Sequence, residues 1–288
     1  MKFKINRDHF SSGIQLVMSV VGTRKTMPIL HNVLIEAKDN LVWLTTTNLD
    51  LGAKCSIRAD VTEEGTITLP VKELGRIIRE LADMEVSVET ADTPKATIST
   101  RGSIFNVIGM DSKEFPPLPE LEEKKEFVFD RNELVTMLKS VSYAQSVNEE
   151  RYMLKGVFFQ LAEEKLALVA TDGRRLAVTK NKIDTKDEGE FILPSLSVNE
   201  IEKLPDVGKQ VKVSFTDRQV SFELSVEETE EKLGFQNSIY LVSKVVEGKY
   251  PNYKQVIPKD DFNAATVERE LMQECVHRAA LVSDEKVT

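Results

Sequence analysis

The chain repeats itself, and this limits its architecture more than any local motif does. Phe3-Lys4-Ile5-Asn6-Arg7-Asp8-His9-Phe10 is echoed by Phe127-Val128-Phe129-Asp130-Arg131-Asn132-Glu133-Leu134, a displacement of 124 from position 3 to position 127. In each copy a short alternating strand runs into a helix that Asp8 or Asn132 is placed to cap. The helices share a buried stripe. Phe10, Ile14, Val17 and Val21 recur at three- and four-residue steps, and Leu134, Leu138 and Val141 fall at the offsets of the first three. Such a stripe reads as core.

The echo continues. Asn32-Val33-Leu34-Ile35-Glu36 matches Gly156-Val157-Phe158-Phe159-Gln160 at the same displacement. Leu41-Val42-Trp43-Leu44-Thr45-Thr46 answers Leu166-Ala167-Leu168-Val169-Ala170-Thr171, which puts one extra residue in the second hairpin turn. Leu69-Pro70 and Leu193-Pro194 each open a second helix, carrying Leu74 and Ile77 or Val198 and Ile201. The copies close on Phe115-Pro116-Pro117-Leu118 and Tyr250-Pro251-Asn252-Tyr253. Their wider spacing implies an insertion, placed in the acidic stretch from Glu227 to Lys232. Agreement over so many segments predicts two homologous α+β domains. A third copy begins at Glu270-Leu271, with Leu271, Cys275, Ala279 and Val282 as its stripe, and Thr288 follows before any of its strands. A lone helix rarely buries enough surface to be stable unaided, so the expectation is a three-domain protein truncated in its third domain.

Composition excludes several functions. With 41% hydrophobic and 30% charged residues the 288-residue chain is ordinary globular material, long enough for two to three domains. No apolar run approaches a membrane span, and Met1-Lys2-Phe3-Lys4-Ile5 lacks a signal-peptide core, which points to the cytoplasm. Cys55 and Cys275 stand far apart without a Cys-x-x-Cys partner, and His9, His31 and His277 lack metal-ligand spacing, so neither a metal nor a cofactor is expected. Net charge is -9. Any nucleic-acid role therefore requires cations segregated onto one face.

Six stretches in order carry a family resemblance. They are Met27-Pro28-Ile29-Leu30, the Leu69-Pro70 helix, Arg151-Tyr152-Met153-Leu154-Lys155-Gly156-Val157, Ala170-Thr171-Asp172-Gly173-Arg174-Arg175-Leu176-Ala177, Glu247-Gly248-Lys249-Tyr250-Pro251-Asn252-Tyr253 and Ala279-Ala280-Leu281-Val282-Ser283-Asp284-Glu285-Lys286. Together they resemble the bacterial DNA polymerase III β subunits, the sliding clamps, over residues 1 to 288. The resemblance implies a DNA-clamp fold: repeated α+β domains, each with two helices packed on antiparallel sheets. It divides the chain into clamp domains at 1–121 and 122–258, with the start of a third at 259–288. It further implies a head-to-tail homodimer of full-length subunits closed around double-stranded DNA. Such a ring has no chemistry of its own; it tethers the replicative polymerase's catalytic subunit and is opened by an ATP-driven clamp loader.

The work falls on three groups of residues. Sliding requires cations on the helical inner face without a base-reading element. Candidates there are Arg24, Lys25, Lys72, Arg76, Arg79, Arg131, Lys139 and Lys203, interleaved with Asp8, Glu73, Glu80 and Glu200. The resemblance itself carries Arg24, Asn148 and Tyr152 over as DNA contacts, and it places Met153 where some members have a second aromatic. For partner proteins with a clamp-binding motif, it implies a pocket lined by Leu154, Thr171, Gly173, Arg174, Arg175, Leu176, Pro251 and Val256. Thr171-Asp172-Gly173 also reads as a plain tight turn. For the ring joint it implies Ile78, Leu81, Phe105 and Val107 on a domain-one edge near Ser103-Ile104-Phe105-Asn106-Val107, opposed by Leu281 and Val282. Since the strand that should meet this edge is missing, the chain is expected to leave the ring open and to be monomeric. Two other readings compete: a peptide-motif-binding adaptor without DNA contact, and a phosphate-ester enzyme using Asp172, Arg174 and Arg175. Against the enzyme, the sequence shows no P-loop, metal cluster or activated nucleophile.

Overall fold

In the computed structural model, which describes residues 1–22, 27–91, 94–185, 187–226, 233–258 and 265–282, both leading helices start where a side-chain oxygen meets their free amides. The capping residues are Asn6 and Asp130, two positions before Asp8 and Asn132. Asn6 Oδ1 accepts from the backbone N–H of Asp8 and His9 at 2.9 and 3.2 Å, and Asp130 Oδ1 accepts from Glu133 at 2.9 Å. Asp8 and Asn132 instead occupy the first turn, because the helices begin at Arg7 and Arg131.

The first repeat runs β1 (Lys2–Asn6), α1 (Arg7–Met18), β2 (Asn32–Lys38), β3 (Leu41–Thr47), β4 (Leu51–Arg58), β5 (Asp60–Glu63), β6 (Gly65–Pro70), α2 (Val71–Glu80), β7 (Glu85–Thr90), β8 (Lys95–Ser99) and β9 (Ile104–Ile108). The second runs β10 (Lys125–Asp130), α3 (Arg131–Val141), β11 (Gly156–Ala162), β12 (Lys165–Thr171), β13 (Leu176–Lys182), β14 (Gly189–Pro194), α4 (Ser195–Glu202), β15 (Gln210–Phe215), β16 (Gln219–Ser225) and β17 (Phe235–Lys244). Strand order is the same in both. Sheet β1-β7-β8-β9 corresponds to β10-β15-β16-β17, and β4-β3-β2-β6 corresponds to β13-β12-β11-β14, with β5 added at the first sheet's edge.

One Arg in each repeat locks the helix pair to the sheet. Arg7 Nη1 donates to the Leu81 carbonyl at 2.6 Å, and Arg131 Nη2 to the Leu204 carbonyl at 2.8 Å. Their backbone amides donate to Met84 and Lys209. The hairpins correct the sequence alignment. Lys38 pairs with Leu41, and Ala162 with Lys165, so both turns hold two residues and Thr47, not Thr46, corresponds to Thr171. Asp39, Asn40, Glu163 and Glu164 all have positive φ near 55°, the backbone a two-residue hairpin turn requires. The extra length instead falls between β16 and β17, whose connection spans 226–234 against 100–103 in the first repeat. The acidic residues 227–232 lie outside the described residues.

The repeats join edge to edge. β17 pairs antiparallel with β4, placing Tyr240 opposite Lys54, Leu241 opposite Ala53 and Val242 opposite Gly52. This makes one eight-stranded sheet, β10-β15-β16-β17-β4-β3-β2-β6. Leu241 and Val242 are fully buried in the joint, and burial of such side chains stabilises by about 2 kcal/mol each. On one face of the joint Leu241 shares a cavity of about 250 Å³ with Ser12, Gln15 and Leu16 of α1 and with Lys203, Leu204 and Pro205 after α4. On the other, Leu118 of the inter-repeat linker packs over Gly52. A Cβ on Gly52 would lie 2.4 Å from Leu118 Cδ2, so the glycine provides the seat. Both helix pairs thus lie on the same side of the shared sheet.

The chain divides after Tyr250 into two units, Met1–Tyr250 and Pro251–Thr288. In the second, a short 3-10 turn at Tyr253–Gln255 precedes α5 (Arg269–Ala280), and every residue of α5 is exposed, including Leu271, Cys275 and Ala279 of its expected stripe. No helix among the described residues is long and apolar enough to cross a membrane.

Candidate nucleic-acid and partner surfaces

α2 buries Val71, Leu74, Gly75 and Ile78 and turns Lys72, Arg76 and Arg79 outward. Spacings of four and three residues align these cations along one flank, while Glu73 and Glu80 share the neighbouring flank. The outer face of α1 carries Asp8, Ser11, Ser12 and Gln15, hydroxyl- and amide-rich and without a lysine or arginine. In the second repeat Lys139 is exposed on α3, whereas Lys203 holds Glu200 at 3.3 Å. Arg131 does not belong to this surface. It is buried, with Nη1 on Asp206 at 2.7 Å and on Asn132 at 2.6 Å, and its fork is consumed by the repeat's own structure. Arg24 and Lys25 lie outside the described residues.

Asn148 accepts from the Glu150 amide at 2.9 Å, so its side chain opens the short helical turn Glu149–Leu154. Tyr152, 55% exposed, projects from that turn. Met153 does not offer a stacking face, because its Sδ packs against Gly248, where a Cβ would come within 2.8 Å. Sequence reasoning gave Arg151 and Tyr143 no role. Arg151 Nη1 donates to the Asp172 carbonyl at 2.8 Å, tying this turn to the β12–β13 turn, and the Arg175 guanidinium lies 5.6 Å over the exposed Tyr143 ring. Arg151 was visible in its motif; the Tyr143 contact, across 32 positions, left no local signal.

The β12–β13 turn gathers Thr171, Gly173, Arg174, Arg175 and Leu176. Thr171 Oγ1 donates to the Arg175 carbonyl at 2.7 Å and accepts from the Gly173 amide at 3.1 Å, with Gly173 at φ 86°. Asp172 Oδ1 accepts from the amides of Arg174 and Arg175 at 2.9 and 3.0 Å, and Oδ2 accepts from Arg175 Nε at 3.1 Å. The backbone bonds, then the Arg175 side chain, hold the Asp172 carboxyl below its ordinary range. Its oxygens are occupied by the turn itself, which removes the base the enzyme reading needed. Leu154 is half-buried at the end of the tied turn. Beneath the turn Phe158 stacks on Tyr250 at 4.7 Å, and burial pushes the Tyr250 phenol up to about 12. Pro251 and Val256, both exposed, belong to the second unit.

Of the residues expected at the ring joint, three are buried in the first repeat and three are at the surface. Ile78, Leu81 and Val107 are 0%, 4% and 1% exposed within their own repeat, because they line the face of α2 and β9 that closes the core. Phe105 is partly exposed on β9, whose outer edge has no strand among the described residues, and Ile104 and Ile108 flank it in solvent. Leu281 and Val282 are exposed at the end of α5. Among the described residues no group of three or more His, Cys, Asp or Glu is placed to hold a metal.

Two α+β repeats of one topology, joined edge to edge with their helices on one side, define the clamp fold. The model of the DNA polymerase III beta subunit N-terminal domain matches residues 1–119, and that of its central domain residues 129–252. The beta sliding clamp of Synechocystis is 32% identical over 312 residues, covering 99% of this chain and 76% of that protein. That of Halalkalibacterium halodurans is 30% identical over 298 residues, covering 99% and 75%. The solved Bacillus subtilis DNA polymerase sliding clamp superposes with a TM-score of 0.89 at 26% identity, covering 99% of this chain and 75% of that one. The chain belongs to the bacterial DNA polymerase III beta subunit family, the beta sliding clamps, and spans about three quarters of the length of these relatives. It is accordingly a DNA-replication protein, a non-catalytic polymerase accessory subunit.

Proposed function

We propose that the chain contributes its repeats to a ring of six that encircles duplex DNA and keeps the replicative polymerase's catalytic subunit on its template, with an ATP-driven loader opening the ring. The observation that carries this reading is the β17–β4 joint. It sets both helix pairs on one side of a continuous sheet, so repetition of the same joint curves the helices around a common centre. Lys72, Arg76 and Arg79 supply phosphate contacts on that side, and α1 to α4 each bury one face within their repeats rather than projecting to enter a groove, as a sliding rather than sequence-reading interface requires. Asn148 and Tyr152 add contacts at the second repeat, and Lys203 becomes available where DNA displaces its hold on Glu200. The turn carrying Thr171, Gly173, Arg174, Arg175 and Leu176, with Leu154 beside it, offers short apolar motifs of partner proteins a rigid edge.

Topology tests the ring. Extended by a third repeat and placed by a clamp loader on nicked circular DNA, the protein should be retained and should run off once the circle is cut. Equal retention on both forms, or on neither, overturns the reading. Binding to partner peptides with no salt-sensitive DNA retention would instead favour the adaptor.

A further inference from the structure

The cavity at the seam belongs to neither repeat alone. α1 supplies Leu16 to its apolar floor, and the second repeat supplies Leu204 after α4 and Phe235 and Leu241 of β17. Leu204, Phe235 and Leu241 are buried, so the packed core sets the shape of the floor. At about 250 Å³ the space falls just short of the roughly 300 Å³ at which drug-sized sites begin, which suits a single aromatic ring or a short alkyl chain. The mouth is rich in acceptors and poor in donors. Ser12 Oγ donates to the Asp8 carbonyl at 2.9 Å, and Ser19 Oγ to the Leu16 carbonyl at 2.8 Å. A hydroxyl has one hydrogen, so both now present only lone pairs. On the α4 side stands Glu200, 8% exposed. Its Oε1 takes Lys203 Nζ at 3.3 Å, and no other donor among the described residues meets the carboxylate. A carboxylate so far out of water favours further donors and positive charge. Lys203 is the cation among the described lining residues, and its side chain is 67% exposed, which makes its hold on Glu200 weak.

We propose that this seam cavity binds a small organic cation, a primary ammonium on a compact apolar body, as in an alkylamine or arylalkylamine. The body lies on Leu16, Leu204, Phe235 and Leu241. The ammonium, a donor at every hydrogen, gives them to the Glu200 carboxylate and to the lone pairs of Ser12 and Ser19. Lys203 yields its place on Glu200 and turns to solvent. An anion of the same shape would meet a buried carboxylate and a mouth of acceptors, so the sign of the charge is part of the recognition. Because the lining comes from both repeats, the ligand binds only their joined form and braces the β17–β4 joint. The site stands on the cavity alone and does not depend on the ring.

Phenethylamine and hydrocinnamate, alike in shape and opposite in charge, test the site on the whole 288-residue chain. With isotope-labelled leucine methyls, the amine should shift the Leu16, Leu204 and Leu241 resonances saturably, and hydrocinnamate should leave them in place. The melting temperature should climb with amine concentration and stay level in hydrocinnamate. Glu200→Gln should weaken amine binding by at least about tenfold, because a neutral partner replaces a charged one. Ser12→Phe, which sets a ring in the mouth from a partly exposed position on α1, should abolish the shifts with the circular dichroism unchanged. Equal shifts from both ligands, or amine binding indifferent to Glu200→Gln, overturn the proposal. So does a response confined to leucines away from the seam, which would mark an adventitious additive only. Failure of the retention test on circular DNA would leave these titrations as they are, so the ring and the cavity site fail separately.

Discussion

At Arg131 a guanidinium that the sequence offers as a phosphate ligand closes the repeat's own structure. It bonds the Leu204 carbonyl and Asp206 from a buried position. Arg131→Met should cost about 2 kcal/mol in urea unfolding, since it leaves that carbonyl unmatched, while DNA retention is unchanged. Weakened DNA binding at unaltered stability would return Arg131 to the DNA surface. Glu126 makes the opposite kind of contribution, electrostatic and pH-dependent. Lys124 at 2.9 Å and then Lys212 at 3.0 Å lower its pKa from the ordinary 4.5 to about 2. A depressed folded pKa stabilises above the unfolded value and is lost as pH falls through the folded one. The melting temperature of the native protein should therefore exceed that of Glu126→Gln at neutral pH, the gap narrowing from about pH 4.5 toward pH 2. The side chain is partly exposed, so salt should shrink the gap as well, and a gap that widens in acid would contradict the assignment.

At the scale of elements, the cationic flank of α2 carries the clearest expectation for binding. Replacing Lys72, Arg76 and Arg79 with Gln should reduce the slope of log affinity against log salt by about one unit per lost phosphate contact, with little effect on folding, because all three side chains are exposed. An unchanged slope would place DNA elsewhere. Periodicity made the helices, the strands and their twofold repetition readable, since burial imposes a stripe every three to four residues and an alternation in strands. What it could not fix was phase. Asn6 and Asp130 cap two residues ahead of the residues the pattern suggested, and the two hairpin turns proved equal in length because Glu163-Glu164 adopts the positive φ that sequence statistics reserve for Asn, Asp and Gly. Ile78, Leu81 and Val107 were assigned to a joint by family likeness, although a helix face or a strand alternation can bury the same residue in its own core. The α2 cations and the β12–β13 turn were legible as residue types at the right spacing. Contacts such as Tyr143 with Arg175 depend on how distant segments meet, which spacing does not encode.

For the molecule as a whole, the shared sheet makes the two repeats one mechanical object. Separate domains linked only by a chain unfold independently, but here β17 supplies strand pairing to β4, and Phe235, at its start, is buried beside the cavity shared by α1 and the end of α4. The joint thus couples the cores: unfolding either repeat strips a strand neighbour and apolar cover from the other. Residues Met1–Tyr250 should consequently melt in a single calorimetric transition whose van't Hoff and calorimetric enthalpies agree. Phe235→Ala removes about 3–5 kcal/mol of packing at the seam while leaving the main core of each repeat intact. It should therefore separate the transition into two rather than only lower its midpoint. Two transitions in the native chain, or one undivided transition in the variant, would mean that the sheet is continuous in geometry without coupling the repeats in energy, and the rigidity that a repeat-built ring draws from such joints would have to come from elsewhere.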